Sequence, residues 1–342
     1  MTLAAPAPAE AARKAALIPV GIAGVGGYVP ERVVDNQYFT RFVETSDEWI
    51  QQRTGIVERR WLRPDERPSD MFVAAGRKAL ERAGVAPSEV DLIVVATVSA
   101  DYLCPSQACV VQERLGCVNA AAFDIAAACA GFVYGLSVGA QFVSTGAYRN
   151  VLVLAGEALS RISDIYDRNS MVLFGDGAGA ALLQPHAQCR QGLIEAFQLG
   201  ADGTGYHYII RSKGGGREPM TPEILAEGTH LLRMKGREVY RFAVSQMESL
   251  ITWAMEGQDP QELGLVIPHQ MNKRILETAR DKLNLPPEKL FINIERLGNT
   301  SAGSCAIGLA EAWENGMLQS GKLVVLAAFG AGLVWAGARL RW

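Results

Sequence analysis

The sequence lacks the spacings by which cysteine and histidine usually hold a metal. Its cysteines include no CxxC pair and its histidines no HxxxH pair; they are Cys104, Cys109, Cys117, Cys129, Cys189 and Cys305, and His186, His207, His230 and His269. Zinc sites and disulfide-stapled secreted domains usually show such spacings. We therefore expect no metal, no disulfide framework and a reducing, cytoplasmic location.

Long apolar runs and a strong net charge are also missing. No run reaches the roughly 18 apolar residues of a membrane span, and the net charge of the 342 residues is only −3. Neither a membrane protein nor a protein that binds nucleic acid through a global basic field is indicated. Residues 1–17 are rich in Ala and Pro, contain Glu10 and lack the apolar core of a signal peptide, so we expect a loosely ordered tail.

Apolar residues are abundant, at 49% of the chain against 20% charged residues, which indicates a large buried core. Several apolar runs are continuous, as is typical of strands buried on both faces. The predicted strands are residues 18–29, 92–97, 120–126, 150–156, 177–184, 263–269, 290–295, 322–329 and 333–342. The predicted helices between them are residues 69–84, capped by Ser69, and 106–116, 129–146, 272–284 and 301–316.

The two halves of the chain contain similar segments at a nearly constant spacing. The matching pairs are Ile93 and Val266 (173 residues apart), Gly135 and Gly308 (173), and Asn150 and Lys322 (172). We therefore predict a duplicated α/β unit, with one half over residues 18–188 and the other over residues 189–342. A pseudo-twofold arrangement would bring the strand ends of both halves together, where ligands of α/β sheets bind.

Cys129 stands out because the stretch DIAAACAGF surrounds it with the smallest side chains, between a strand-like and a helix-like run. The amides at a helix N-terminus favour a thiolate, and small neighbours expose backbone N–H groups that could hold an oxyanion. Covalent acyl transfer through a thioester needs these parts. For Cys109, Cys117, Cys189 and Cys305 we favour a purely structural interpretation.

His269 and Asn299 occupy comparable places in the second half. His269 ends the strand that matches residues 92–97, and Asn299 precedes the helix that matches the one after Cys129. Taken alone, His269 reads as a core histidine. Together, a histidine and an asparagine could donate two hydrogen bonds to one carbonyl oxygen and stabilise an enolate.

Two sets of basic residues could bind an anionic partner, although a solvated helix face would explain either set. In residues 46–61, aromatic and arginine side chains could stack an adenine and hold phosphates: Trp49, Arg53, Arg59, Arg60 and Trp61. In the second half, two clusters could dock an acidic carrier protein: Lys235, Arg237, Arg241, Lys273, Arg274 and Lys282.

Six motifs in order resemble β-ketoacyl-[acyl-carrier-protein] synthase III, a family of thiolase-fold condensing enzymes. They are TSDEWIQQRTGI, DIAAACAGF, LFGDGAGAA, VIPHQMNKRI, GNTSAGS and the ending FGAGLVW…RLRW, and the resemblance covers residues 18–342. It implies a thiolase-like, duplicated αβαβα fold of five layers. It also implies a homodimer that uses acyl-CoA and acyl carrier protein as substrates and needs no cofactor.

The resemblance implies a decarboxylative Claisen condensation that initiates fatty acid synthesis. Cys129 would take a short acyl group from CoA, and His269 and Asn299 would hold malonyl-acyl-carrier protein while it loses carbon dioxide. The backbone amides of Cys129 and Ala331 would form the oxyanion hole. The CoA contacts would be Thr45, Trp49, Arg53, Arg168, Gly236 and Asn272, and the carrier-protein contacts Arg241, Lys273, Arg274 and Lys282.

Three positions depart from the family pattern. Ala331 replaces a frequent glycine but keeps its N–H unless its φ is positive. Met271 stands where a small residue is common, which would narrow the tunnel. Cys104 stands where Phe or Leu often projects into the partner's acyl pocket, so a roomier pocket is expected. Residues 202–219 form a loop of unusual sequence that we expect to border the substrate.

Other functions remain open at this point. The main alternative is a family relative in specialised metabolism, either an acyltransferase that does not decarboxylate or a variant condensing enzyme. A cysteine hydrolase is disfavoured because a CGSCW-like context is missing. A non-catalytic scaffold is disfavoured because the set of Cys129, His269 and Asn299 is complete.

Overall fold

The computed structural model describes residues 16–342. The predicted tail therefore lies, up to residue 15, outside the described residues. The strands are β1 (Val20–Tyr28), β2 (Val33–Asp35), β3 (Glu58–Arg60), β4 (Leu92–Ala96), β5 (Ala121–Ile125), β6 (Val151–Ala158), β7 (Asp176–Pro185), β8 (Leu193–Ala201), β9 (Ile209–Ile210), β10 (Arg233–Met234), β11 (Leu263–Pro268), β12 (Leu323–Gly330) and β13 (Val334–Arg341).

Helices fill most of the segments between these strands. The α-helices are α1 (Asp47–Thr54), α2 (Pro68–Ala83), α3 (Gln107–Leu115), α4 (Gly131–Ser144), α5 (His186–Cys189), α6 (Pro222–Glu227), α7 (Gly236–Met255), α8 (Lys273–Lys282), α9 (Ile294–Leu297) and α10 (Gly303–Glu314). Short 3₁₀ turns include Ala128–Ala130, just before α4, and Met171–Leu173, just before β7.

Two sheets and three helical layers alternate through the molecule. A five-stranded sheet has the order β1-β7-β6-β4-β5, and a four-stranded sheet has the order β11-β12-β13-β8. Helices α4 and α10 share one apolar core with both sheets. Helices α2 and α3 cover the outer face of the first sheet, and α7 and α8 cover that of the second. The layer order is αβαβα, as predicted.

The sheet orders support the predicted duplication. Strands β4, β6, β7 and β1 have the same neighbours in the first sheet as β11, β12, β13 and β8 have in the second. The central strands are parallel in both sheets, β4 to β6 and β11 to β12. The chain boundary between the halves, at residues 188 and 189, stays a prediction.

The second sheet has no counterpart of β5, so the strand predicted over residues 290–295 is wrong. Only a single bridge joins Leu290 to Val266, and the chain turns into α9 at Ile294. The Gln270 side chain takes the place of a neighbouring strand. Its amide donates to Phe291 O at 3.1 Å and accepts from Asn293 N at 3.1 Å.

Three further local predictions differ from the structure. Ser69 does not cap α2, because Arg67 holds the N-cap position and the Ser69 hydroxyl donates to Asp101 at 2.6 Å. The sequence reading also missed β8, whose residues are mostly half-buried. It missed α7 as well, although that helix buries residues at helical spacing: Val239, Ala243, Met247, Leu250, Ile251 and Ala254.

None of the helices over residues 16–342 has the length and the apolar character of a membrane span.

Candidate active site

A cavity of about 510 Å³ is lined by residues from both halves. Cys129, Asn299 and Ala331 contribute to its lining. Trp49 and the exposed Arg168 line it as well. The cavity therefore brings strand-end residues of the two halves to one place, as the duplication predicts.

Cys129 lies in the 3₁₀ turn between β5 and α4, at a point where only small residues fit. A Cβ atom added to Gly330 would lie 2.6 Å from Cys129 N, and one added to Gly131 would lie 2.9 Å from the Cβ of Ala96. Ala128 has a φ of 44°, a left-handed conformation that costs a non-glycine residue free energy. Crowding by the second half thus explains the Ala- and Gly-rich sequence around the thiol.

Burial of Cys129 opposes the thiolate that its surroundings in the sequence favour. It raises the pKa of Cys129 to about 11, and the Ser301 hydroxyl opposes that rise only in part. Ser301 Oγ lies 3.3 Å from Cys129 Sγ. Desolvation disfavours the charged form of a thiol, so burial favours the neutral thiol here.

His269 is fully buried directly after β11, and its backbone N–H donates to Ala327 O at 2.8 Å. Its ring lies 5.6 Å from that of Phe329, the residue before Gly330. Nδ1 lies 3.1 Å from Ser304 Oγ, whereas Nε2 has no hydrogen-bond partner among the described residues. Burial lowers the pKa of His269 to about 3, so the imidazole is neutral.

Asn299 is held by backbone and side-chain hydrogen bonds. Its N–H donates to Leu173 O at 2.7 Å, and its carbonyl accepts from Gly175 N at 3.0 Å. Its side-chain Oδ1 accepts from Ser301 N at 2.8 Å. The orientation of the amide is thereby set, and Nδ2, which bonds to none of the described residues, is left as a donor.

Ser301 matches Ala128 in the other half, since the two residues are 173 positions apart. Both have a positive φ, 51° and 44°. The same unusual turn therefore precedes the helix in each half. The turn at Ala128 is followed by Cys129 with its thiol, and the turn at Ser301 comes two residues after Asn299 with its side-chain amide. The same local backbone structure therefore carries a different functional group in each half.

Comparison with known proteins identifies the family. The model described as 3-oxoacyl-[acyl-carrier-protein (ACP)] synthase III matches residues 123–203, and its C-terminal counterpart matches residues 254–342. A beta-ketoacyl-[acyl-carrier-protein] synthase III of Caldanaerobacter subterraneus subsp. tengcongensis is 46% identical over 327 residues, which are 95% of this chain and 98% of the relative. This chain belongs to the 3-oxoacyl-[acyl-carrier-protein] synthase III family.

Solved structures agree with that assignment. The 3-oxoacyl-[acyl-carrier-protein] synthase III from Aquifex aeolicus has a TM-score of 0.86 and 40% identity, over 94% of this chain and 100% of that chain. The priming beta-ketosynthase from the R1128 polyketide biosynthetic pathway has a TM-score of 0.87 and 36% identity, over 97% and 99%. The predicted family and thiolase-like fold are confirmed, and the chain is an acyltransferase of the synthase III type.

The structure gathers most of the residues that the family resemblance assigns to CoA. Trp49, Arg53, Arg168, Gly236 and Asn272 all line the cavity. The guanidinium of Arg168 lies 4.8 Å from the centre of the Trp49 ring and that of Arg53 lies 5.8 Å from it. Asn272 Nδ2 donates to Arg53 O at 3.0 Å.

Some residues proposed for CoA lie elsewhere. Thr45 is not part of the cavity lining, and its hydroxyl is buried without a partner among the described residues. Arg59 and Trp61 are buried, at 0% and 4% exposure, and Arg60 pairs with Glu58 at 3.3 Å. The predicted phosphate role of these two arginines is therefore wrong.

The residues predicted to dock a carrier protein lie on α7 and α8. Arg241 and Lys282 line a shallow groove between these helices. Lys282 pairs with Glu248 and Lys273 with Glu295, each at 3.0 Å. Arg274 is exposed and, like Arg241, has no ion-pair partner among the described residues.

Two of the three residues that depart from the family pattern, Ala331 and Met271, lie at the cavity. Ala331 lines the cavity and has no positive φ, unlike Gly332 and Leu333 after it, so its N–H is retained. Met271 also lines the cavity. Cys104 is exposed and lies outside the cavity of its own chain. The unusual loop over residues 202–219 contributes Ile209 to the lining.

Sequence reasoning assigned no role to the hydroxyls around the catalytic set. Ser301 contacts the thiol, Ser304 contacts the imidazole, and Thr300 Oγ1 lies 3.3 Å from Ser304 Oγ. All three stand in the motif GNTSAGS. The sequence gives only a weak indication that these residues are functional, because Ser and Thr are common at helix starts as N-cap residues alone.

Proposed function

We propose that this cavity carries out the reaction of its family, the decarboxylative condensation of a short acyl-CoA with malonyl-acyl-carrier protein. The products are 3-ketoacyl-acyl-carrier protein, carbon dioxide and CoA, and the reaction initiates fatty acid synthesis. The observation that carries the proposal is the meeting of Cys129 and Asn299 in one cavity, with the unpaired Nε2 of His269 buried near Phe329 of the same lining.

The first half-reaction is acyl transfer to Cys129. The sulfur attacks the thioester carbonyl of acyl-CoA, the bond to the CoA sulfur breaks, and the proton of Cys129 leaves with CoA as its thiol. The N–H groups of Cys129 and Ala331 are assigned to the oxyanion that forms on the carbonyl oxygen. A thiol with a raised pKa makes removal of this proton part of the barrier.

The second half-reaction is decarboxylation and carbon–carbon bond formation. Nε2–H of His269 and Nδ2–H of Asn299 donate to the thioester carbonyl of the malonyl group. The bond to its carboxylate breaks, carbon dioxide leaves and the electron pair forms an enolate. The enolate carbon attacks the acyl-Cys129 thioester, the bond to the Cys129 sulfur breaks, and Cys129 leaves as a thiolate that regains its proton from solvent. Neutral donors suit this step because they stabilise negative charge without bringing a counter-charge into a dry site.

We assign to Ser304 the role of fixing the tautomer of the His269 ring. When its hydroxyl donates to Nδ1, the ring proton must lie on Nε2. Thr300 can in turn donate to Ser304. The neutral imidazole therefore presents a donor to the substrate.

We assign to Arg168 and Trp49 the binding of the adenine of CoA, which would stack between the guanidinium and the indole ring. A planar base between them needs more room than the 4.8 Å that now separates the guanidinium from the ring centre. Arg168 also donates to Glu44 O at 2.8 Å, so binding would exchange these contacts for the base. Helices α7 and α8 both begin at the cavity, at Gly236 and after Asn272, where helix N-termini favour phosphate.

The homodimer is supported by an exposed edge of the first sheet. Within residues 16–342, strand β5 has no neighbour on one side, and an open edge is a template for pairing with a second chain. Nearby, Leu103 and Tyr102 are 101% and 53% exposed. In this arrangement Cys104 would face the acyl pocket of the partner, as the family resemblance implies. A cytoplasmic location stays a prediction.

Docking of the carrier protein at α7 and α8 can be tested by charge reversal. Arg241→Glu should raise KM for malonyl-acyl-carrier protein about tenfold and leave acylation by acyl-CoA unchanged, because a docking charge acts on the protein substrate alone. Arg77→Glu, an exposed arginine on the opposite outer layer, is the matched control. An equal loss with both substrates would contradict the assignment.

The reaction itself is tested by a primer screen. The protein is incubated with malonyl-acyl-carrier protein and a series of acetyl-, branched and longer acyl-CoA, and the product is read by mass. A 3-ketoacyl product with at least one primer, absent with Cys129→Ala, is expected. Acyl transfer without loss of carbon dioxide for every primer would instead support the alternative in specialised metabolism, the class to which the R1128 enzyme points.

A further inference from the structure

Arg59, in β3, is a fully buried cation with no carboxylate at ion-pair distance among the described residues. Burying an arginine without a counter-ion is costly, so its hydrogen bonds must be well placed. Its guanidinium lies 4.7 Å from the centre of the Phe39 ring, and its Nε has no partner among the described residues. The family resemblance gives this residue no role.

The guanidinium of Arg59 holds the segment that supports Asn299. Nη2 donates to Val172 O at 2.6 Å. The next carbonyl, Leu173 O, accepts from Asn299 N, and Gly175 N donates to Asn299 O. Residues 172–175 are thus clamped between Arg59 on one side and the peptide of Asn299 on the other.

The stem of Arg59 also packs against the same loop. A Cβ atom added to Gly298 would lie 3.1 Å from the Cβ of Arg59, and one added to Gly175 would lie 3.4 Å from it. Both glycines flank the contact between Phe174 and Asn299. The Cβ of Arg59 therefore lies against both chain segments that meet in this contact, one at Gly175 and the other at Gly298.

On its other side, Arg59 is linked to the helix that carries Trp49. Nη1 donates to Asn36 Oδ1 at 2.8 Å, and Asn36 Nδ2 donates to Asp47 Oδ1 at 2.7 Å. Asp47 is the first residue of α1. One chain of hydrogen bonds, buried at Arg59 and half-buried at Asp47, thus runs from the helix proposed to bind CoA to the loop of Asn299.

We propose that Arg59 is a positioning residue for the decarboxylation half-reaction, acting through residues 172–175 on the peptide of Asn299. This inference rests on the donor role proposed for Asn299. Cys129 is contacted by Gly330 and by the Ser301 hydroxyl and has no hydrogen bond to Arg59 or to residues 172–175, so we expect Arg59 to bear on decarboxylation more than on acylation. A displacement of about 1 Å in a catalytic group can lower a rate about 100-fold.

The test uses Arg59→Lys, which keeps the charge but loses the fork that bridges Val172 O and Asn36. Acylation by labelled acetyl-CoA and decarboxylation of malonyl-acyl-carrier protein are measured separately. Because Arg59 is also linked to α1, acylation is compared at saturating acetyl-CoA, where a weaker CoA contact does not limit the rate. We expect acylation within twofold of the unaltered protein, and kcat for decarboxylation lowered about 10- to 100-fold with KM for malonyl-acyl-carrier protein unchanged. Arg114→Lys, which alters a half-buried arginine bonded to Ser69 and Asp70, should show no such split.

A double variant distinguishes positioning from a general structural role. If Arg59 acts through Asn299, then Arg59→Lys in the Asn299→Ala background should cause no further loss of decarboxylation. Multiplied losses, or equal losses in both half-reactions, would overturn the proposal. If Asn299→Ala alone leaves decarboxylation intact, the proposed function of Asn299 fails instead. Should Arg59→Lys not fold, Asn36→Ala, which removes one acceptor of Arg59, decides by the same split.

Discussion

At the scale of single residues, the reactive groups of the site are held in their neutral forms. Burial raises the pKa of Cys129 to about 11 and lowers that of His269 to about 3. The two shifts have one cause, since desolvation disfavours whichever form carries charge. Burial therefore disfavours an ion pair between a Cys129 thiolate and a His269 imidazolium. It favours a thiol that loses its proton during the reaction and a neutral imidazole that donates a hydrogen bond.

The neutral thiol predicts the pH dependence of alkylation at Cys129. The rate with iodoacetamide should rise about tenfold per pH unit between pH 6 and 9, because the thiolate fraction does so well below a pKa of about 11. Modification of Cys129 is followed by peptide mass spectrometry, with Cys129→Ala as the background. A rate that levels off below pH 8 would show a thiolate at neutral pH and contradict the burial argument.

The sequence singled out Cys129 and Asn299, which both line the cavity, and His269, whose role stays a prediction, but it could not indicate the pKa of these groups. Small residues around a thiol and two matching strand–helix starts are local patterns. A pKa depends on how much protein covers the group, and that cover comes from elements distant in the sequence. The contact of Ser301 with Cys129 exists only once the halves are packed, and that of Ser304 with His269 only once α10 packs on β11.

At the scale of elements, a side chain can replace a strand. Residues 290–295 have the apolar pattern of a strand, yet Gln270 satisfies the backbone at Phe291 and Asn293 and the chain turns into α9. The pattern predicted burial correctly at Leu290, Phe291 and Ile294. It could not show that the hydrogen-bond partners would come from Gln270, which lies 21 residues before Phe291 and 23 before Asn293.

Gln270→Ala should destabilise the protein by roughly 3 kcal/mol or more, because it removes hydrogen bonds to three buried backbone groups, and each unpaired group costs about 1–3 kcal/mol. These groups are Pro268 O, Phe291 O and Asn293 N. The free energy of unfolding is measured by urea denaturation. Gln188→Ala, on an exposed glutamine that bonds to Arg149, should change it by less than about 0.5 kcal/mol. Equal effects of the two substitutions would show that Gln270 does not support this segment.

At the scale of the whole molecule, two buried carboxyl groups set the response of stability to pH. Burial raises the pKa of Glu157 to about 7 and that of Asp176 to about 6. Glu157 accepts hydrogen bonds from Thr97, Ser99 and the backbone of Val98. A carboxyl whose folded pKa is raised holds its proton longer in the folded state, so its contribution to stability is lost as pH rises from the unfolded to the folded pKa.

Glu157→Gln should therefore flatten the fall in stability between pH 4.5 and 7. The free energy of unfolding of the unaltered protein should drop over this window by up to about 3 kcal/mol more than that of the variant. His269 acts in the opposite sense below pH 6.5 in both proteins, so the comparison isolates Glu157. Parallel pH curves would show that folding leaves the pKa of this carboxyl unshifted and would contradict the burial argument.

The duplicated architecture places the nucleophile Cys129 in one half and the proposed decarboxylation donors His269 and Asn299 in the other, and this division is the central claim. Asn299→Ala tests it most directly, with transfer of labelled acetyl groups from acetyl-CoA to Cys129 and decarboxylation of malonyl-acyl-carrier protein measured in the same preparation. We predict acylation at the level of the unaltered protein and decarboxylation lowered about 100- to 1000-fold, the usual effect of losing one oxyanion donor. Lost acylation with intact decarboxylation, or an equal fall in both, would contradict the division.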